Sequence, residues 1–173
     1  MRPRQRERAL EVVEAGLGPE PECYNPSDFE RRPNELILEV VIPRPASICG
    51  AAFLRIGRTP TDIALLNAVA LVEVANGHYQ RVRLALGGVN MSPVRLWTIE
   101  KRLEGQAEVN ADTLAQTIAP VLQTAMTDFS PPSDFRAGSD YRRTSGQNLA
   151  FRALEEAINI ARLSGVASSN GGM

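Results

Sequence analysis

The sequence predicts an α+β domain: one antiparallel sheet of three to four strands, followed by three helices packed on one face. Three observations lead there. Asn76-Gly77 separates two apolar blocks, Ile63–Val74 and Val82–Val89. That dipeptide favours a type I′ hairpin turn, whose two central residues both need positive φ. Val82, Leu84 and Leu86 then alternate with Arg81, Arg83 and Ala85, the pattern of a half-buried antiparallel strand. After Gly87-Gly88 the apolar spacing changes from strand-like to helical. Strands grouped first and helices afterwards describe a sheet with its inner face covered by helices.

Taken in order, Leu10, Val13 and Leu17 recur at helical spacing, and residues 19–34 hold four prolines and read as a linker. Glu35–Pro43 (ELILEVVIP) is rich in Leu, Ile and Val and ends at proline, so it reads as the first strand. Arg44–Gly50 reads as a loop and Ala51–Ile56 as the second strand, with Phe53 as its core anchor. Gly57–Asp62 turns the chain, because Pro60 cannot continue a ladder. The first half of the next block suits a helix or a strand; Ala68–Val74 is strand-like, and Tyr79–Leu86 completes the hairpin.

Ser92-Pro93 opens a turn before a short helix over Leu96–Leu103 that stops at Gly105. Asn110 or Asp112 caps the next helix, which carries Leu114, Ile118, Val121 and Leu122. Pro120 lies inside it, where a kink or break is expected. Phe129–Gly138 is a loop, and Ser139 or Asp140 caps the last helix. Its stripe is Leu149, Ala153, Leu154, Ala157, Ile158 and Ala161. The expected division is a helix and linker over 1–33, a domain over 34–163 and a disordered tail over 164–173.

Composition excludes several classes. The formal net charge is −1, which gives no field favouring nucleic acid or an anionic membrane. The basic start MRPRQRER reads as a solvated helix end. Lys101 is the sole lysine, and the scattered arginines alternate with carboxylates. Cys23, Cys49 and His78 are too few for a structural zinc or iron–sulfur site. No uninterrupted apolar run reaches the roughly 18 residues of a membrane span, and a cytoplasmic location is the default expectation.

Candidate chemistry is sparse. Gly87-Gly88 reads as a strand end with unusual backbone angles rather than a phosphate cradle. His78 belongs to a solvated hairpin tip. Arg55, Arg58 and Asp62 form one polar cluster, read as a structural ion pair. Asp134, Arg136, Asp140, Arg142 and Arg143 form a second, in which Asp134 and Arg136 are expected to cap the last helix and lock its loop to the sheet. Neither cluster joins a nucleophile to a base, so catalysis by this chain alone is not expected.

Several blocks together resemble a known family. They are ELILEVVIP, AAFLRIGR, DIALLNAVAL, RVRLALGGV followed by Pro93 and Arg95, SDFRAGSDYRR, and RALEEA at Arg152–Ala157. In order and spacing, across about residues 30–160, they resemble the C-terminal domain of the FAD-binding medium subunit of molybdenum hydroxylases, of the carbon monoxide and xanthine dehydrogenase type. The resemblance implies a small antiparallel sheet backed by helices. It implies a role as an accessory domain that helps close a flavin site held mainly by a separate FAD-binding domain. Electrons would reach that flavin from a molybdenum subunit through iron–sulfur clusters.

It implies two flavin contacts: an aliphatic residue in the EIL-type strand, which maps to Ile37, and the residue after the AF pair, which maps to Leu54. The latter is commonly a lysine in the family. Arg55, one residue on, would point to the other face of a regular strand. Thr144-Ser145 also departs from the usual histidine and leucine after YRR. The glycine-rich flavin loops are missing from the sequence, so FAD is expected only together with a separate FAD-domain polypeptide. The implied partners are that polypeptide and the iron–sulfur and molybdenum subunits; a homo-oligomer is open, and neither nucleic acid nor membrane is expected. The alternative is a non-enzymatic interaction module, or a truncated remnant without redox activity.

Overall fold

A computed structural model describes residues 47–170, with side chains to residue 165. The predicted first strand at 35–43, the N-terminal helix and Ile37 therefore lie outside the described residues. Within them the chain forms strands β1 (Ile48–Ile56), β2 (Leu66–Ala75), β3 (His78–Gly87) and β4 (Val94–Arg95). Helices α1 (Trp97–Leu103), α2 (Ala111–Thr127) and α3 (Ser139–Asn170) follow. The strands make one antiparallel sheet in the order β1-β2-β3-β4. The predicted α+β class is observed, with an antiparallel sheet followed by three helices; the short strand β4, Val94–Arg95, is not among the predicted strands.

The hairpin forms as its sequence requires. Asn76 and Gly77 have φ of 54° and 70°, both positive, and turn β2 directly into β3. A register shift between Glu73 and Val74 adds a local irregularity beside the turn. Side chains then divide by parity. Leu66, Ala68, Ala70 and Val72 of β2 and Val82, Leu84 and Leu86 of β3 are buried beneath the helices. The intervening residues face outward, and Val69 is 44% exposed.

Parity also corrects one expectation. Phe53 is not a core anchor; it is 62% exposed. The buried positions of β1 are Gly50 and Ala52, with Leu54 and Ile56 partly buried against the core, so odd-numbered residues point away. β1 also begins three residues earlier than predicted, because Ile48, Cys49 and Gly50 pair with Val74, Glu73 and Val72. Gly50 is strand, not loop. A Cβ there would collide with Ala157 O and Ala161 N of α3, so the helix backbone rests almost directly on the strand. Small residues on both sides permit this approach: Ala52, Ala68 and Ala70 below, Ala150, Ala153, Ala157 and Ala161 above, all buried.

α3 covers β1 and β2, α1 lies along β3, and α2 packs on α1 and α3. Asn110 is the cap of α2: its Oδ1 accepts from Thr113 N at 2.8 Å. Leu114, Ile118, Leu122 and Met126 form the buried stripe. Helix α2 runs through Pro120 without a break. Pro120 is exposed, so the carbonyl one turn earlier that loses its donor lies on the solvent side. α1 ends as predicted, with Gly105 at φ 82°. α3 extends to Asn170, past the expected start of the tail at Ser164. Ser164 Oγ donates to Ile160 O at 2.9 Å, and Gly165 packs near Ile48.

Candidate functional site: the loop end of the sheet and the flank of β1

The β1–β2 loop, the end of β3 and the start of α3 meet around one guanidinium. Arg142, 2% exposed, sits in the first turn and a half of α3. Its Nη1 donates to Leu65 O at 2.8 Å and Gly88 O at 3.3 Å, and its Nη2 donates to Asp134 Oδ1 at 3.0 Å. Nε has no partner among the described residues. Gly88 makes the convergence possible, because φ is 87° and a Cβ would strike Leu65 O. This is the strand end expected for Gly87-Gly88.

Asp134 is the counter-charge. Its Oδ2 accepts from Arg136 Nε at 3.0 Å and Nη2 at 2.7 Å. Its Oδ1 also accepts from Arg136 N at 2.9 Å and Ala137 N at 3.2 Å. The Arg136 side chain foremost holds this carboxyl well below the usual carboxylate range; desolvation, the next largest influence, opposes it, and the two backbone amides and Arg142 add to the lowering. The expected lock between loop and sheet is present, but Arg142 makes it. Asp134 and Arg136 do not cap the helix; Arg142 N instead donates to Gly138 O at 3.1 Å. Arg143 reaches the other way, donating from Nε to Met126 O at 3.2 Å at the carbonyl end of α2.

A carboxyl whose pKa is lowered by folding adds stability that is complete above its unfolded value, about pH 4, and is lost as pH falls below it. Asp134→Asn is therefore expected to lower the urea midpoint at about pH 6 and to matter progressively less on going to about pH 2.5. An Asn variant whose deficit grows on acidification would contradict this assignment.

Leu54 lies on the helix side of β1, paired with Ala68 and partly buried against the core. Arg55 faces the opposite way and folds over the β1–β2 loop. It donates to Pro60 O at 2.9 Å, to Thr59 O at 3.4 Å and to Asp62 O. Arg55 is thus committed to loop carbonyls. Arg58 pairs with Asp62 at 3.3 Å, but its side chain is 88% exposed, so the pair adds little. His78 is exposed at the hairpin, with Nδ1 2.8 Å from Asn76 O. Cys49 is a free, half-buried thiol.

Two functional-looking groups escaped the sequence reading. Glu100, 1% exposed, accepts from Leu84 N at 2.9 Å and from Arg95 Nε at 3.1 Å, with a second bond from Arg95 Nη2. Glu104 accepts from Val82 N at 2.9 Å and pairs with Arg83 at 2.6 Å. The legible signal was two acids four apart, one in a short helix and one at its C-terminal cap, soon after the outer strand of the hairpin. Tyr79 is fully buried beside them along β3; desolvation raises its pKa, opposed by hydrogen bonding to Val109.

These arrangements define an α+β domain whose charged groups mostly tie loops and strand edges in place. The comparisons identify it further. The family model described as the CO dehydrogenase flavoprotein C-terminal domain matches residues 51–157, and the chain belongs to that family. It is 27% identical over 120 residues to the putative xanthine dehydrogenase FAD-binding subunit XdhB of Escherichia coli, covering 69% of this chain and 39% of that one. It is 27% identical over 131 residues to the glyceraldehyde dehydrogenase medium chain of Sulfolobus acidocaldarius, covering 76% and 44%.

Among solved structures, carbon monoxide dehydrogenase of Hydrogenophaga pseudoflava, lacking the Mo-pyranopterin moiety, matches with a TM-score of 0.61 at 23% identity, over 69% of this chain and 40% of that one. Quinoline 2-oxidoreductase of Pseudomonas putida matches with a TM-score of 0.58 at 25% identity, over 69% and 40%. The chain spans about two-fifths of the length of the relatives it matches. Among the described residues no helix is long and apolar enough to cross a membrane.

Proposed function

We propose that the chain serves as the C-terminal domain of the FAD-binding subunit of a molybdenum hydroxylase. The observation that carries this reading is the family match across 51–157, supported by relatives named as FAD-binding and medium subunits. In this role the domain, over about 34–163, closes one side of a flavin site whose diphosphate is held by a separate FAD-domain polypeptide. It sits in a complex with iron–sulfur and molybdenum subunits, in the cytoplasm, and contributes no catalytic group. Leu54, and Ile37 outside the described residues, are its flavin-facing positions. Aliphatic side chains there act by excluding water from the ring and by fixing the approach of the FAD domain; they add no charge to the flavin.

The expected result is that the isolated chain takes up no stoichiometric FAD, as followed by flavin fluorescence. Addition of an FAD-domain polypeptide restores binding, and Leu54→Lys, which brings a cation to the family's usual position, tightens it by about 10-fold, in the range of a charge-assisted hydrogen bond. Tight FAD binding by the isolated chain, or an FAD-domain polypeptide that ignores it, would sink this reading. The latter result would instead favour an interaction module without redox activity.

A further inference from the structure

The three loops gathered by Arg142 also carry the most exposed apolar side chains. Ile63, Met91 and Phe135 are 83%, 87% and 96% exposed, the three highest values for large hydrophobics among the described residues. One stands in each loop: Ile63 between β1 and β2, Met91 between β3 and β4, Phe135 between α2 and α3. They sit close to the latch. Ile63 is two residues from Leu65, Met91 is three from Gly88, and Phe135 adjoins Asp134, the three residues bound by the Arg142 guanidinium. At no more than about 3.6 Å of chain per residue, each Cα lies within roughly 11 Å of a latched residue. Single apolar side chains scattered over a surface need no explanation; three collected at one end do.

The core does not use these side chains, and two of their loops are fixed beyond the latch itself. Arg55 ties the β1–β2 loop through three carbonyls, and Asp134 accepts from Arg136 N and Ala137 N in the α2–α3 loop. Tips held this way lose little further freedom on docking. Aromatic, Met and Arg side chains side by side are also the composition that sets protein interfaces apart from the remaining surface. Arg136 lies 5.8 Å from the Phe135 ring centroid, and the Arg58 side chain is 88% exposed. Charge then separates the candidate partners. The same end carries Asp140, whose side chain is 98% exposed, so it offers both signs rather than a basic field. That carboxylate disfavours nucleic acid and an anionic bilayer. A second copy of the same end brings the complement of each charge.

We propose that this loop end is a self-association surface, on which two copies of the chain dock about a two-fold axis. Ile63, Met91 and Phe135 form its apolar centre, and Arg58 of each copy faces Asp140 of the other. The contacts these two charges make within the chain are exposed pairs, Arg58 to Asp62 at 3.3 Å and Asp140 to Arg143 at 3.2 Å, and hold them only weakly. A two-fold interface must be self-complementary, which a face carrying both signs can be. The area fits a reversible dimer. Large side chains bury about 150–200 Å² each, so three tips from each copy remove roughly 1,000 Å², the lower bound for a specific interface. At that size a dissociation constant on the order of 10 µM is expected. The surface includes neither Leu54 nor Ile37, and the proposal stands or falls independently of flavin.

The test is sedimentation equilibrium of the full chain under reducing conditions, over about 1–200 µM so that the range brackets that constant. The mass is expected to rise from that of one chain to that of two. Phe135→Ser and Met91→Ser should each weaken association by about 10-fold, with far-UV circular dichroism unchanged. Arg58→Glu and Asp140→Arg should each weaken it as well. The double variant should recover most of that loss, which a merely sticky surface would not do. Leu163→Ser is the control and should change nothing: Leu163 is 71% exposed but stands about 36 Å along α3 from Ser139. A chain that stays monomeric throughout the range overturns the proposal. So does association insensitive to the tip variants, or a charge reversal that the double variant does not relieve. Cosedimentation of a monomeric chain with phosphatidylcholine–phosphatidylserine vesicles, lost in Phe135→Ser, would overturn it too and assign the tips to a bilayer.

Discussion

Glu100→Leu is expected to cost about 3–5 kcal/mol, the range for removing one partner of a buried ion pair. The carboxylate is 1% exposed and satisfies the Leu84 amide as well as Arg95, whose side chain is 14% exposed. Leu fills similar volume but leaves a buried donor and a nearly buried guanidinium unmatched. Arg95 retains only its stacking on Trp97, 3.5 Å from the ring centroid. The neighbouring carboxylate supplies the contrast. Glu104 is 32% exposed, so water can replace it at Val82 N, and Glu104→Leu should cost about 1 kcal/mol. Urea denaturation of both variants measures the difference. Equal losses would show that the burial of Glu100 carries no special weight. Loss of Glu100 also exposes the edge of β3, so a rise in aggregation should accompany the loss of stability.

Gly50→Val should be nearly as damaging, by a different cause. The added atoms enter space already held by the α3 backbone at Ala157 and Ala161, which cannot swing aside as a side chain does. Overpacking commonly costs about 1–3 kcal/mol, and contact with backbone rather than side chain places this variant at the upper end, about 3 kcal/mol. The helix is expected to lift from β1, so amides of β1 should lose protection before those of β3. Gly165→Ala is the control. Its added methyl would meet only Ile48 side-chain carbons, at 3.6 and 4.0 Å, and should change stability little. A well-tolerated Gly50→Val would mean that α3 rides higher on the sheet than described.

The sheet and helices were legible because their signals are local. Asn76-Gly77 needs no tertiary partner to turn, and Asn110 caps α2 from three residues away. What escaped the sequence was relational. Phe53 looks like a core residue by type; only the parity of β1 against α3, fixed by the bare Gly50, turns it outward. Glu100 and Arg142 look like surface charges until a strand edge and two loop carbonyls arrive beside them, 16 and 77 residues away in the chain. The resemblance pointed to the family to which the chain belongs, and it implied two flavin-facing positions. Leu54 is now placed on the helix side of β1 beside Ala68, and Arg55 is shown to be spoken for by its own loop.

The latch at Arg142 also sets an order of events during synthesis. Leu65 and Gly88 leave the ribosome well before the residue that joins them, 77 and 54 positions later. Until α3 follows, the hairpin can form, but the side of β1 and β2 that α3 covers has nothing to rest on, and its apolar residues face water. A nascent chain halted in the loop at 129–138 would thus present a finished hairpin and an unfinished domain. The interval between those two states is when the apolar face of the sheet lies most open to association with other chains.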